Sequence, residues 1–199
     1  YEYFREPQPD PPWREVVDNF ERIKGEFPAD YVECFSFITA IVEMPIYLKW
    51  LISRYSSLGG QYRQKTIDSF TNLPDAYDAI INCTGLASKK LLNDEKLYPV
   101  RGQIIRVKAN IENMYLDQKV ETLTHIVPRS GDVALGGVAQ QNNLSLDVDP
   151  LDREEILRKC SLIIPDIRNA EIIDEVVGLR PGRAEVRLEK EIVDGRPLI

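Results

Sequence analysis

One histidine in 199 residues removes most Ser-His-Asp, Cys-His and multi-histidine metal arrangements at once, because each needs an imidazole in company. The residue, His125, stands in an alternating stretch where a structural role is the default. Cysteine is scarce too. Cys34, Cys83 and Cys160 are odd in number and form no C-x-x-C pair, so they read as reduced, buried thiols of an intracellular protein. No apolar run approaches the roughly 18 to 20 residues that span a bilayer, and no charged-then-apolar leader opens the sequence; the chain reads as soluble. Neither G-x-G-x-x-G nor G-x-x-x-x-G-K-[ST] occurs, which leaves no complete phosphate cradle. Positive charge is also short. The 25 Lys+Arg against 32 Asp+Glu give a net charge of −7, a field that repels phosphate and argues against nucleic acid or a membrane surface as partner.

What is present fits one ordinary domain or two small lobes: 43% of residues are hydrophobic, ample for a core. The sequence starts at Tyr1 without methionine and stops at "DGRPLI" as an apolar run begins, and so reads as a piece of a longer protein. "REPQPDPPW" (5–13) is a proline-rich loop. Val16, Val17, Phe20 and Ile23 follow a helical spacing, or cover a sheet as an irregular segment. "CFSFITAIVE" (34–43) suits a buried strand. Pro45 then opens a helix whose Ile46, Tyr47, Trp50, Leu51, Tyr55 and Leu58 form one apolar stripe, with Gly59-Gly60 as its left-handed cap.

Further on, "NLPD" (72–75) is a turn and "YDAIINCTGLAS" (77–88) a short strand ending in Cys-Thr-Gly. That order is α/β in character. From 100 the pattern changes: "VRGQIIRVKA", "THIVPR" and "DVALGGVAQ" are short strands that look antiparallel. A second helix is expected from Asp149 to Cys160, with Asp149 as N-cap, Pro150 in the first turn, acidic residues early and Arg158 and Lys159 late. "AEIIDEVVGLRP" and "AEVRLEKEIV" are expected as two closing strands.

Two stretches invite chemistry. A strand ending in Thr-Gly lets backbone approach a ligand, although a plain turn explains it as well. In "VGLRPGRAEVRLE" (176–188), Pro181 and Gly182 forbid a continuous helix; if extended, Arg183 and Arg187 share a side and Arg180 faces away. A guanidinium so held is a two-pronged receptor for a carboxylate, worth roughly 1.5 to 3 kcal/mol. Ion pairing with Glu185, Glu189 or Asp174 is the plain alternative.

In order, "PPW", "YLKWL", "YDAIINCTGLAS", "YPVRGQIIRV", "THIVPRSGDVALGGVAQ", "EEILRKC" and "VGLRPGRAEVRLE" resemble the D-amino-acid oxidase and D-aspartate oxidase family of flavoproteins, over nearly the whole chain. The resemblance implies an α/β protein, α+β overall: part of a Rossmann-like FAD-binding lobe (45–99 and 189–199) and a mainly antiparallel substrate-binding lobe (1–44 and 100–188). It implies FAD-dependent oxidation of a D-amino acid to the imino and then 2-oxo acid, with O2 reduced to H2O2, or D-aspartate specificity, or a non-catalytic relative. No residue need act as general base, and no metal is implied. Arg183 matches the arginine that holds the substrate carboxylate, and Ile67, Thr84 and Gly85 match positions touching the flavin. Two residues depart from the pattern. His125 stands where the family usually has a tyrosine reaching the substrate, and Glu121 where D-amino-acid oxidases have a second. Gln118 occupies the place of the D-aspartate oxidase loop arginine. The partners implied are a D-amino acid and O2, with a homodimer as the assembly, inside the cell in peroxisome or cytoplasm.

Overall fold

The computed structural model describes residues 1–74 and 76–199. Along the chain its strands and helices are β1 (Glu2–Phe4), β2 (Asp18–Ile23), β3 (Glu33–Ile38), α1 (Met44–Ser57), α2 (Ser88–Leu91), β4 (Tyr98–Lys108), β5 (Tyr115–Asp117), β6 (Thr124–Pro128), β7 (Val133–Gly136), β8 (Gln140–Gln141), α3 (Pro150–Ile163), β9 (Glu171–Gly182), β10 (Glu191–Val193) and β11 (Arg196–Leu198). The chain divides into two compact units, 1–43 with 101–140 and 145–178, and 44–100 with 141–144 and 179–199. Residues 179–188, grouped by the resemblance with 100–178, cluster with the second unit.

In the first unit the strands lie in the order β2-β3-β1-β5-β6-β7-β4, and β9 also pairs with β4. The pairing is antiparallel for β6 with β5 and with β7, and for β4 with β7, whereas β1 runs parallel to β5. Alternation explains the core. Ile105 and Val107 of β4, Ile126 of β6 and Val133 and Leu135 of β7 are buried, and α3 covers β6 and β7 with Ile156, Leu157, Cys160 and Ile163. The α3 start is as its sequence predicts: Asp149 caps it by accepting the Leu151 amide at 2.8 Å, and Pro150 follows.

Three expectations need correction here. The helical spacing at Val16–Ile23 gives a turn and then β2, because an antiparallel partner is available in β3. The strand expected over 34–43 ends at Ile38. And of the two closing strands, β9 forms while 184–190 has no regular structure, Val186 and Leu188 being exposed.

The second unit contains α1, α2 and the β10–β11 hairpin, turning at Asp194-Gly195. Its small core joins Phe70, Ile80 and Leu198, with Ile67 packed against them. The short strand expected within 77–88 amounts to a parallel bridge between Ile80 and Leu198, supported by Asn82 N–H donating to the Ile199 carbonyl at 2.7 Å. Phe70–Asn72 form a 3-10 turn, and the turn foreseen at 72–75 ends on Asp75, outside the described residues. Helix α1 forms as its periodicity requires and ends before Gly59 at φ +87°, but none of its residues is buried: Trp50 and Ile46 are each 58% exposed. Among the described residues no helix is long and apolar enough to cross a membrane.

Candidate functional site

The turn after Ile80 is locked by its own side chains. Asn82 Oδ1 accepts from the Thr84 amide at 3.2 Å and the Thr84 hydroxyl at 2.8 Å, while Asn82 Nδ2 donates to Ser88 Oγ at 3.0 Å. An Asn offering its carbonyl oxygen two residues onward replaces the ladder with a turn. Gly85 follows at φ +59°, where a side chain would be strained, and opens a short 3-10 turn into α2. Cys83, Thr84 and Gly85 are all exposed. The expectation that all three cysteines are buried therefore fails at Cys83; only Cys34 and Cys160 are inside.

Arg183 lies at the end of β9 in the same unit. Its Nε donates to Asp94 Oδ2 at 3.2 Å and its Nη1 to the Glu185 carbonyl at 2.8 Å. Among the described residues its Nη2 makes no hydrogen bond. Arg187 Nη1 reaches the same Asp94 oxygen at 3.2 Å, and its other nitrogens pair with Glu189 and Glu191. Arg180 is exposed. Arg183 and Arg187 thus share one carboxylate, although the extended strand from which a common side was expected does not continue past Gly182. Burial pushes the Asp94 carboxyl pKa up, but the Lys96 amide and the Arg187 and Arg183 guanidiniums outweigh it and hold the group below its ordinary value.

These residues line one open cleft of about 350 Å3, formed by Gly85, Ser88, Leu92, Asp94, Leu97, Arg183 and Arg187 among others. The fold thus brings Gly85 and Arg183 together. A neighbouring space of about 220 Å3, mostly apolar, is lined by Ile81, Cys83, Leu92, Leu198 and Ile199. Thr84 sits on the turn itself, and Ile67 in the small core.

His125 belongs to the first unit. It lies on β6 between Leu116 of β5 and Gly136 of β7, half-buried. A Cβ added at Gly136 would meet its Nδ1 at 3.7 Å, so the ring lies over the glycine. Its carbonyl accepts the Cys160 thiol at 3.8 Å. Glu121 is exposed before β6; Gln118 donates to Glu2, and Lys119 pairs with Glu6 at 3.3 Å. Sequence reasoning missed Asp94, which lies 89 residues from Arg183 in a plain charged stretch. Asn82 was visible, as an Asn two residues before Thr84, but its locking role was not read. No group of three or more His, Cys, Asp or Glu suited to a metal occurs among the described residues.

The family model described as "DAO: FAD dependent oxidoreductase" matches residues 2–199. A D-amino-acid oxidase of Rubrobacter xylanophilus is 39% identical over 194 residues, covering 96% of this chain and 60% of its own length. A D-amino-acid oxidase of Dictyostelium discoideum is 35% identical (98% and 57%), and a human D-aspartate oxidase 37% identical (94% and 56%). The chain therefore spans about 60% of the length of these relatives, or slightly less. Among solved structures, glycine oxidase from Geobacillus kaustophilus superposes with a TM-score of 0.74 at 17% identity, over 94% of this chain and 58% of that one, a likeness of fold.

Proposed function

The chain belongs to the FAD dependent oxidoreductase (DAO) family, and from that membership we propose that the full-length protein oxidises D-amino acids to 2-oxo acids. FAD, when bound, supplies acceptance of a hydride from the substrate Cα and passage of the electron pair to O2, giving H2O2. The imino acid takes up water and releases ammonia. The described residues fit part of that cofactor. The locked turn Asn82–Gly85 offers exposed main chain, and the apolar space beside it suits the edge of a planar ring. Thr84, Gly85 and Ile67 are the contacts this chain would contribute, within a partial FAD-binding lobe at 45–99 and 189–199. No glycine-rich phosphate loop exists in the sequence.

The observation that carries the reading is Arg183, held by Nε and Nη1 in the same cleft as Gly85, with Nη2 left to a ligand. A carboxylate taken there fixes the amino acid by charge-assisted hydrogen bonds. By family membership alone His125 stands at a position that elsewhere faces the substrate, and on that proposal His125→Phe should change preference among D-amino acids without changing flavin content.

The test is peroxide release by the purified full-length protein over a panel of D-amino acids, and absence of turnover with flavin bound overturns the reading. Arg183→Ala should raise KM about tenfold or more, as removal of a bond to a charged group does. D-aspartate oxidation is the second reading, motivated by the human relative, and is favoured if D-Asp outcompetes D-Ala and D-Pro. A homodimer and a peroxisomal or cytoplasmic location complete the proposal, and solution mass and cell fractionation test them.

A further inference from the structure

We infer that Asp94 is a positioning residue for the carboxylate receptor: it grips Arg183 by Nε and Arg187 by Nη1, fixing the plane of the Arg183 fork so that Nη2 faces the cleft. The inference rests on the reading of Arg183 as the carboxylate receptor.

The geometry of Asp94 separates two jobs between its two oxygens. Oδ1 accepts the Lys96 amide at 3.1 Å, an i to i+2 bond that shapes the turn after α2. Oδ2 accepts both guanidiniums at 3.2 Å. The side chain is 6% exposed, whereas those of Arg183 and Arg187 are 19% and 24% exposed, so the carboxylate is the fixed member and the arginines are arranged on it. A free arginine side chain loses much rotamer freedom when it clasps a ligand. One already held at Nε and Nη1 loses less, and preorganisation of this kind strengthens binding without a new ligand contact. Asp94 Oδ2 meets both cations. Arg187 carries Glu189 and Glu191 on its remaining nitrogens, so it serves the scaffold, and of the two arginines on Asp94 only Arg183 keeps a nitrogen for a ligand.

Asparagine divides these jobs cleanly. In Asp94→Asn the amide oxygen still accepts from Lys96, but the group facing the arginines becomes an NH2 that cannot accept. In the full-length, flavin-loaded protein Asp94→Asn should raise KM for the best D-amino acid about tenfold while kcat changes less than about threefold. The same variant should weaken, by a similar factor, the binding of a non-oxidised monocarboxylate such as benzoate, read from the flavin absorbance. In an Arg183→Ala background, Asp94→Asn should have no further effect on either quantity, because the two act as one unit. An unchanged KM and benzoate affinity in Asp94→Asn, or an equal loss with Arg183 already removed, overturns the inference while leaving Arg183 in place. If Arg183→Ala itself leaves KM and benzoate affinity unchanged, the reading beneath it fails instead. Should Asp94→Asn not accumulate as folded protein, Asp94→Ser carries the same cycle, since its hydroxyl can accept from Lys96 but does not reach the arginines.

Discussion

Arg101 and Asp152 form a buried ion pair that ties β4 to the first turn of α3, with the Arg101 side chain 2% exposed and that of Asp152 12%. The guanidinium also donates to the carbonyls of Ser145 at 3.1 Å and Asp147 at 2.6 Å and to the side chains of Gln103 and Gln140. Replacing Arg101 by Leu leaves Asp152 buried without its cation and should destabilise the protein by about 3 to 5 kcal/mol. Arg158→Ala, which breaks an exposed pair with Glu155 on the same helix, should cost less than about 1 kcal/mol. Equilibrium urea unfolding of both variants, compared at equal m-values, checks the contrast.

The N-terminus of α3 gives a smaller effect. Asp149→Ala removes the acceptor of the Leu151 amide and should cost about 1 kcal/mol, while Asp149→Asn should recover most of it, because either side chain caps. The backbone bonds of residue 149 to Gln103 persist in both variants. Unfolding midpoints separate the two cases.

Gly137 tests packing against backbone. A Cβ there would lie 2.6 Å from the Leu123 carbonyl oxygen, and that oxygen cannot move aside as a flexible side chain would. Gly137→Ala should therefore destabilise by roughly 1 to 3 kcal/mol. At Gly131 nothing lies within 4 Å of an added Cβ, and Gly131→Ala should stay within about 0.5 kcal/mol of the parent. Thermal unfolding of the pair is sufficient.

Alkaline pH should weaken the first unit through its thiols. Burial pushes the Cys160 thiol up to about 12 and the Cys34 thiol up to about 11. With the folded values raised, the unfolded chain loses protons first, so stability is intact below about pH 8.5, the ordinary thiol value, and falls as pH rises toward 11 and 12. Unfolding free energy measured at pH 8 and pH 10.5 should drop less in Cys160→Ala than in the parent. In the native protein a thiol reagent at pH 8 should modify Cys83 quickly and the two buried cysteines slowly.

Local signals carried much of this molecule. The Asp149-Pro150 start of α3, the alternation of Ile105 and Val107, and the apolar stripe of α1 are properties of neighbours a few residues apart, and periodicity reads them directly. The motif order from "YDAIINCTGLAS" to "VGLRPGRAEVRLE" carried the family. Local propensity misled at Phe20 and Ile23, where hydrogen bonding to β3 overrode a helical spacing, and at 184–190, where Val186 and Leu188 form no strand. The tertiary structure alone decided which carboxylate Arg183 meets. Of Glu185, Glu189 and Asp174, the acidic partners the sequence left open, Glu185 gives Arg183 only its backbone carbonyl; the ion pair is with Asp94, 89 residues earlier in the chain. Nothing in the composition of "LLNDEKL" distinguishes that aspartate from its acidic neighbour, because burial and convergence of two guanidiniums are created only when distant segments fold against one another.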